Sequence, residues 1–165
     1  MNLSSLLEYD KTLLLFFNNP NNMFLDHVVL VFTSGYTWIP LYISLLYLVV
    51  KNNERWGRIL LIMGTMALCM LVSNVGNGGF VKPYIARLRP SSDPLLAHSI
   101  SLVCGYTPEG FSFFSAHACN AFSVAVFFML LVRSRLLSVT LFLWACLVAW
   151  TRLYLGVHFP SDVLV

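Results

Sequence analysis

Three stretches of the chain run for more than twenty residues without a charged side chain. Val28 to Val50 and Ile59 to Val81 cover 23 residues each, and Phe111 to Val132 covers 22 with His117 as its only titratable group. A bilayer core of about 30 Å takes about 20 apolar residues of helix, so each run is long enough to span. A fourth run, Leu136 to Thr151, reaches that length only by continuing past Arg152 towards Val157. The alternative is a set of helices buried in a soluble core. That fails on composition, because 58% of the 165 residues are hydrophobic and 10% charged, which leaves no polar shell to enclose four such helices. The same figures exclude a disordered chain, a collagen-like repeat and a small disulfide-stapled module. A net charge of +3, spread along the chain, gives no basic stripe for nucleic acid.

The expected fold is therefore all-α, a polytopic membrane helical bundle. Residues 1–22 form an interfacial amphipathic helix and a breaker. Residues 23–165 form one transmembrane domain, with spans at about 27–50, 57–81, 112–132 and 136–156 and the start of a last helix at 160. Gly35 and Pro40 are expected to kink the first span. The amino-terminal helix has Leu3, Leu6, Leu7, Leu13, Leu14 and Phe17 at helical spacing, interrupted by Glu8, Asp10 and Lys11, and ends at Asn18-Asn19-Pro20-Asn21-Asn22. That pattern suits a helix lying on the membrane surface. Glu8 and Asp10 stand where a cleavable signal would have its basic and apolar regions, so the spans are expected to target themselves. The four cysteines read as small buried hydrophobes, three of them within apolar runs.

Basic residues set the orientation. Lys51, Arg55 and Arg58 lie between the first two spans, and Arg133 and Arg135 between the third and fourth, so both connectors are expected in the cytoplasm. The opposite face then receives the loop from about Lys82 to Gly110 and the turn from Arg152 to Asp162. On that face the chain concentrates its costly ionisable groups, each a functional candidate by position.

Lys82, Arg89 and Arg152 are three cations with Asp162 as the one obvious fixed anion, so something anionic belongs between them. Two guanidinium forks and an ammonium suit a tetrahedral phosphate. Arg87 reads as an interfacial anchor snorkelling to headgroups. Ser115, followed by Ala116 at the start of a long helix, offers a hydroxyl and backbone N–H groups at the positive end of a helix dipole; alone it would be a plain N-cap. His158 precedes Phe159-Pro160-Ser161-Asp162, and proline at a first helical position places Asp162 one turn on. A carboxylate holding one imidazole nitrogen presents the other as nucleophile or base. His117 is then available to protonate a leaving oxygen. His117, His158 and Asp162 also form a conceivable metal set, which the adjacent cations disfavour, so no metal and no cofactor are expected.

These residues fall into three spaced motifs. Lys82, six residues, then Arg89-Pro90 resembles the first signature of the type 2 phosphatidic acid phosphatase family. Phe114-Ser115-Ala116-His117 stands where that family has Pro-Ser-Gly-His. Arg152, five residues, His158, three residues, Asp162 reproduces the third signature. The resemblance covers roughly residues 26 to 165 and implies the acid phosphatase/vanadium haloperoxidase type of bundle, with vanadate binding as a property of the site. It implies His158 as the nucleophile forming a phosphohistidine, Asp162 as its orienter and His117 as the acid. Lys82, Arg89, Arg152, Ser115 and the Ala116 N–H would hold the phosphoryl oxygens.

Phe114 and Ala116 depart from the usual proline and glycine, Thr151 stands where serine is common, and the last spanning helix is expected to be truncated at Val165. The function implied is a metal-independent lipid phosphate phosphatase of the bacterial inner membrane, its site facing the periplasm or outside. Candidate substrates are undecaprenyl diphosphate, phosphatidylglycerol phosphate, phosphatidic acid and lipid A phosphate. The alternative is a catalytically impaired lipid-phosphate-binding membrane protein. A transporter is disfavoured because the polar groups gather at one interface and not at the midplane. Substrate choice is expected in the loop from Ser91 to Tyr106, where His98, Asp93 and Glu109 either contact a headgroup or face water, the second being favoured.

Overall fold

The computed structural model describes residues 3–18 and 22–165. Asn19, Pro20 and Asn21 of the expected breaker lie outside them. The described elements are helices: α1 (Leu3–Phe17), α2 (Met23–Thr33), α3 (Ile39–Lys51), α4 (Trp56–Val75), α5 (Lys82–Ile85), α6 (Ala116–Val132), α7 (Arg135–Tyr154) and α8 (Pro160–Leu164). A π-helical stretch, Gly76–Val81, joins α4 to α5 without a break.

The centre of the bundle is the pair α6 and α7. A two-residue connection, Arg133 and Ser134, turns the chain back on itself: Arg133 takes a left-handed conformation (φ 53) and Ser134 caps α7. Ala121 and Ala125 on α6, and Ala145 and Ala149 on α7, recur at four-residue spacing and are buried. Lipid tails give helices no hydrophobic reason to associate, so small residues that admit close backbone approach do that work through dispersion contacts. Leu45 and Val49 of α3 and Ile59 of α4 close the same core. The outward faces of α4 and α7, with Leu60, Leu61, Leu71, Val139 and Leu143, remain exposed and apolar, as a lipid-facing surface requires.

One expectation is met in a sharper form and three need correction. The run 27–50 carries the expected kink, and it is large: α2 and the segment Gly35–Lys51 meet at 65°. Gly35 and Pro40 together stop helix continuation, and the turn is held by Trp38 Nε1 donating to the Phe32 carbonyl at 2.8 Å. The α2 limb is pinned at the site end, where Val29 packs on Tyr154, Leu155 and Val157 and Tyr154 Oη donates to Asp26 at 2.6 Å. The third span begins at Ala116 and not at 112, since Ser115 is its N-cap; its 17 residues reach about 25 Å. The cysteines are not core residues: Cys69 and Cys104 are exposed, and Cys119 and Cys146 half-buried. An apolar run in a membrane helix faces lipid as readily as protein, so it does not predict burial. Lastly, of the amino-terminal leucines whose side chains are described, Leu14 is fully buried, whereas Leu6, Leu7 and Leu13 stay exposed. The face α1 buries is Asp10, Leu14 and Asn18. The fourth run does continue through Arg152, to Tyr154.

Asn18 fastens α1 to the site end. Its amide donates to the carbonyls of Tyr154 at 2.7 Å and Ser101 at 3.0 Å and accepts from the Ser101 N–H at 2.9 Å. Gly156 lies against it with φ +65, and a Cβ there would stand 2.6 Å from Ile100 Cγ2 and 2.9 Å from the Asn18 amide nitrogen. Gly156→Ala is therefore expected to destabilise the protein by about 1–3 kcal/mol, through left-handed strain and the clash. Thermal unfolding in detergent checks this, with Gly35→Ala, which meets nothing within 4 Å, as the comparison that should move far less.

Candidate active site at one end of the bundle

Six segments deliver polar side chains to the end of the bundle where α4 finishes, α6 begins and α7 finishes. The π-helical stretch continues α4 so that α5 starts with Lys82. After α5 the chain runs extended through Arg87 and Arg89, and a second extended stretch supplies Ser112 and Ser115. His117 lies in the first turn of α6, Arg152 in the last turn of α7, and His158 precedes α8. Pro160 occupies a first position of α8, where its missing N–H is no loss, and Asp162 accepts from the Phe159 N–H at 2.9 Å. The Ser115 N–H donates to the Asp162 carbonyl at 2.7 Å, tying the start of α6 to α8.

His158 and Asp162 are 2% and 1% exposed. Nδ1 of His158 faces Asp162 Oδ2 at 3.7 Å. Ser112 completes the contact, its hydroxyl donating to Oδ2 and lying 3.4 Å from Nδ1. The second ring nitrogen, Nε2, is 3.4 Å from Arg89. Burial, opposed by the contact with Asp162 and reinforced by the Arg152 and Arg89 charges, pushes the His158 imidazole down to about 4.

Arg89 is buried and positioned by backbone, donating to the carbonyls of Gly110 (2.9 Å), Glu109 (3.1 Å) and Val157 (3.1 Å). Arg152, 1% exposed, donates to the Thr33 hydroxyl and to Tyr106 Oη at 3.4 Å, and its Nε has no partner. Lys82 is half-buried. Among the described residues none of these three cations forms an ion pair with a carboxylate; the Asp162 carboxylate instead pairs with Arg87 at 2.6 Å. Ser115 caps α6, its hydroxyl accepting from the Ala118 N–H at 3.5 Å, and Ala116 is the first residue of that helix. His117 is exposed to a cavity of about 280 Å³ that it lines with Asn74, Asn120, Trp38 and Trp144. It is within electrostatic reach of Arg152, His158, Lys82 and Arg89. Ser115 and Asp162 also border a more apolar groove of about 600 Å³ along α6 and α8. Among the described residues no group of three or more His, Cys, Asp or Glu is arranged to hold a metal ion.

The structure thus brings together every residue that the three motifs mark. Arg87 departs from its expected role: it is no headgroup anchor, but lies between two carboxylates with its guanidinium 3.9 Å above the Phe159 ring. Sequence reasoning also missed Asp10, Ser112, Thr33 and Tyr106. Asp10 had one available signal, four- and eight-residue spacing from Leu14 and Asn18 on the face that docks. His98 and Glu109 are exposed, as expected, whereas Asp93 is half-buried and accepts from the Leu95 N–H at 2.9 Å.

A helical bundle with a lipid-facing apolar surface and a cluster of cations around a buried imidazole at one end defines a helical membrane protein. Residues 58–165 match the PAP2 superfamily, and the chain belongs to it; it is a phosphoric ester hydrolase of the membrane, acting on lipid phosphate. It is 38% identical over 160 residues to a lipid A 4'-phosphatase of Bacteroides thetaiotaomicron, covering 96% of this chain and 71% of the relative. A lipid A 4'-phosphatase of Porphyromonas gingivalis is 29% identical over 159 residues, covering 96% and 67%. In three dimensions the chain resembles the PAP2-type phosphatidylglycerolphosphate phosphatase of Bacillus subtilis, with a TM-score of 0.70 at 24% identity over 97% of this chain and 78% of that one. It also resembles LpxE of Aquifex aeolicus, with a TM-score of 0.57 at 28% identity over 93% and 84%.

The depressed His158 imidazole has a consequence for stability. In the unfolded chain it protonates near 6.5 and in the folded one near 4, so between those values the unfolded state binds more protons. The contribution is complete above about pH 6.5 and is lost as the pH falls towards 4. Unfolding temperature in detergent should therefore drop between pH 7 and pH 5, and drop less in His158→Gln.

Proposed function

We propose that this protein removes a phosphate monoester from a lipid headgroup through a phosphohistidine on His158. The observation that carries the reading is the cluster of buried Arg89 and Arg152 with half-buried Lys82, which has no carboxylate partner among the described residues, beside an imidazole whose Nδ1 is already directed at Asp162. Buried cations in a low dielectric are stable only when their charge is met, and the free Nε of Arg152 is a donor waiting for an acceptor. A phosphoryl group placed there meets both requirements.

In the proposed reaction the lone pair of His158 Nε2 attacks phosphorus while the bond to the lipid oxygen breaks, and His117 gives its proton to that departing oxygen. Water then attacks the phosphohistidine, returning a proton to His117 and releasing inorganic phosphate and free His158. Lys82, Arg89, Arg152, the Ser115 hydroxyl and the Ala116 N–H hold the three phosphoryl oxygens, and Asp162 steadies the imidazolium charge of the intermediate. The cations supply the charge stabilisation that a metal would supply elsewhere, so the reading needs none. Among lipid phosphates the 4'-phosphate of lipid A is favoured, because two relatives matching 96% of this chain have that activity in their names. A sugar oxygen leaving towards His117 would enter the cavity lined by Asn74, Asn120 and Trp38, which suits a carbohydrate face. The basic connectors at Lys51–Arg58 and Arg133–Arg135 support a site on the periplasmic side of a bacterial inner membrane.

Phosphate release from lipid A in detergent micelles with excess EDTA tests this. Wild-type release should persist, and His158→Ala should lower it at least a thousandfold, consistent with loss of a nucleophile. His117→Ala should lose about 100-fold or more on the lipid but far less on p-nitrophenyl phosphate, whose leaving group needs no proton. Equal losses on both substrates would overturn the role of His117 as acid. Binding of vanadate without any release would move the protein to the impaired, lipid-phosphate-binding alternative.

A further inference from the structure

We propose that Asp10, on the amino-terminal helix and outside all three motifs, is a positioning residue for the hydrolysis: through Arg87 and Ser161 it fixes the Asp162 carboxylate against His158. The proposal rests on the nucleophile role assigned to His158.

Asp10 is 8% exposed, an unusual burial for a carboxylate unless it is paired. Its Oδ2 meets Arg87 at 2.6 Å and the Ser161 hydroxyl, and its Oδ1 accepts from the Ser161 N–H at 2.8 Å. Arg87 uses its other terminal nitrogen for Asp162 Oδ1 at 2.6 Å and the Ser161 hydroxyl at 2.7 Å. The two oxygens of Asp162 therefore have separate tasks. Oδ1 is held by Arg87, while Oδ2 takes Ser112 and the Phe159 N–H and faces His158. A planar guanidinium can serve two carboxylates at once, which an ammonium cannot do with the same geometry.

Charge balance gives Asp10 its second effect. Arg87 beside Asp162 draws the carboxylate away from the imidazole, and Asp10 meets that positive charge from the far side. The groups facing His158 are Asp162 from α8, Arg152 from α7, Arg89 from the extended segment and His117 from α6, with Lys82 acting on Asp162. Without Asp10 the balance around this pair becomes one unit more positive. Protonation of His158 is then less favourable, and Arg87 is free to take both oxygens of Asp162.

The test compares Asp10→Asn, Asp10→Glu and Leu14→Ala in the full chain, by kcat, KM and the pH profile of phosphate release from lipid A micelles. Leu14 is fully buried on the same face of α1 against Leu96, Ile100 and Phe159, so its truncation loosens α1 without changing charge. Asp10→Asn should lose about 10-fold or more in kcat with KM within twofold. The acid limb of kcat/KM, where the nucleophile protonates, should move to lower pH by about half a unit or more. Asp10→Glu should recover part of kcat, and Leu14→Ala should lower the unfolding temperature without moving the limb. If Asp10→Asn does not accumulate, Arg87→Lys, which keeps the charge and loses the fork, should show the same kcat loss. Wild-type kcat and limb in Asp10→Asn or in Arg87→Lys, or a loss matched by Leu14→Ala with the limb unmoved, would overturn the proposal. Full activity in His158→Ala would instead remove the nucleophile role beneath it, a distinct result.

Discussion

An arginine at 1% exposure in the last turn of a membrane helix is the constraint around which this end of the bundle is arranged. Desolvating a guanidinium is expensive, by several kcal/mol even after relaxation, and among the described residues Arg152 donates to the neutral oxygens of Thr33 and Tyr106. Arg89 is met in a similar way, by three backbone carbonyls. Dipoles of this kind fix the direction of each guanidinium while leaving its net charge uncompensated. The bend between α2 and α3 follows from the same need, since it places Thr33, the last residue of α2, against Arg152. The non-helical stretches at Arg87–Arg89 and Glu109–Ser115 likewise give up helical hydrogen bonds to bring the carbonyls of Glu109 and Gly110 to Arg89. A positive hollow results, preorganised before any anion arrives, which is the condition for electrostatic stabilisation without reorganisation.

Most of that hollow was legible in the sequence because spacing along the chain becomes placement at helix ends. His158 and Asp162 are four residues apart across a proline, and Lys82, Ser115 and Arg152 border uncharged runs, so the direction of each span alone brings them together. Contacts between elements far apart in sequence had no such signal. Arg87 appeared to be one more cation beside a membrane because nothing in its neighbourhood names Asp10, 77 positions earlier. Ser112 and Tyr106 act through loop conformations that periodicity does not describe. The cysteines show the opposite error: hydrophobicity predicts burial in water, but in a bilayer the lipid is itself an apolar solvent, so Cys69 can sit in an apolar run and remain exposed.

The split of α2 from α3 has the same physical origin. A run of 23 uncharged residues satisfies the length rule for a span whether it crosses straight or bends, because hydropathy reports the solvent and not the direction. Direction was set by Gly35 and Pro40, which weaken the helix, and by Val29 and Asp26, which hold α2 against the end of α7. The sequence signal for the bend was present; its size depended on tertiary contacts.

The second motif shows how a departure from a family pattern can leave the local backbone in place. Glycine before the histidine is demanded only where the backbone needs positive φ or where a Cβ would collide. Neither condition holds here. Ser115 is extended at φ −71, ψ 109, a conformation open to any residue, and Ala116 is the first residue of α6, where alanine is the best helix former. The Ser115 N–H is already committed to Asp162, so the geometry at the start of α6 is fixed by α8 and does not depend on a flexible residue at 116. What alanine adds is a methyl group beside the phosphate hollow, a change in shape and not in charge. Such a change bears on which lipid headgroup fits more directly than on whether His158 and His117 can act.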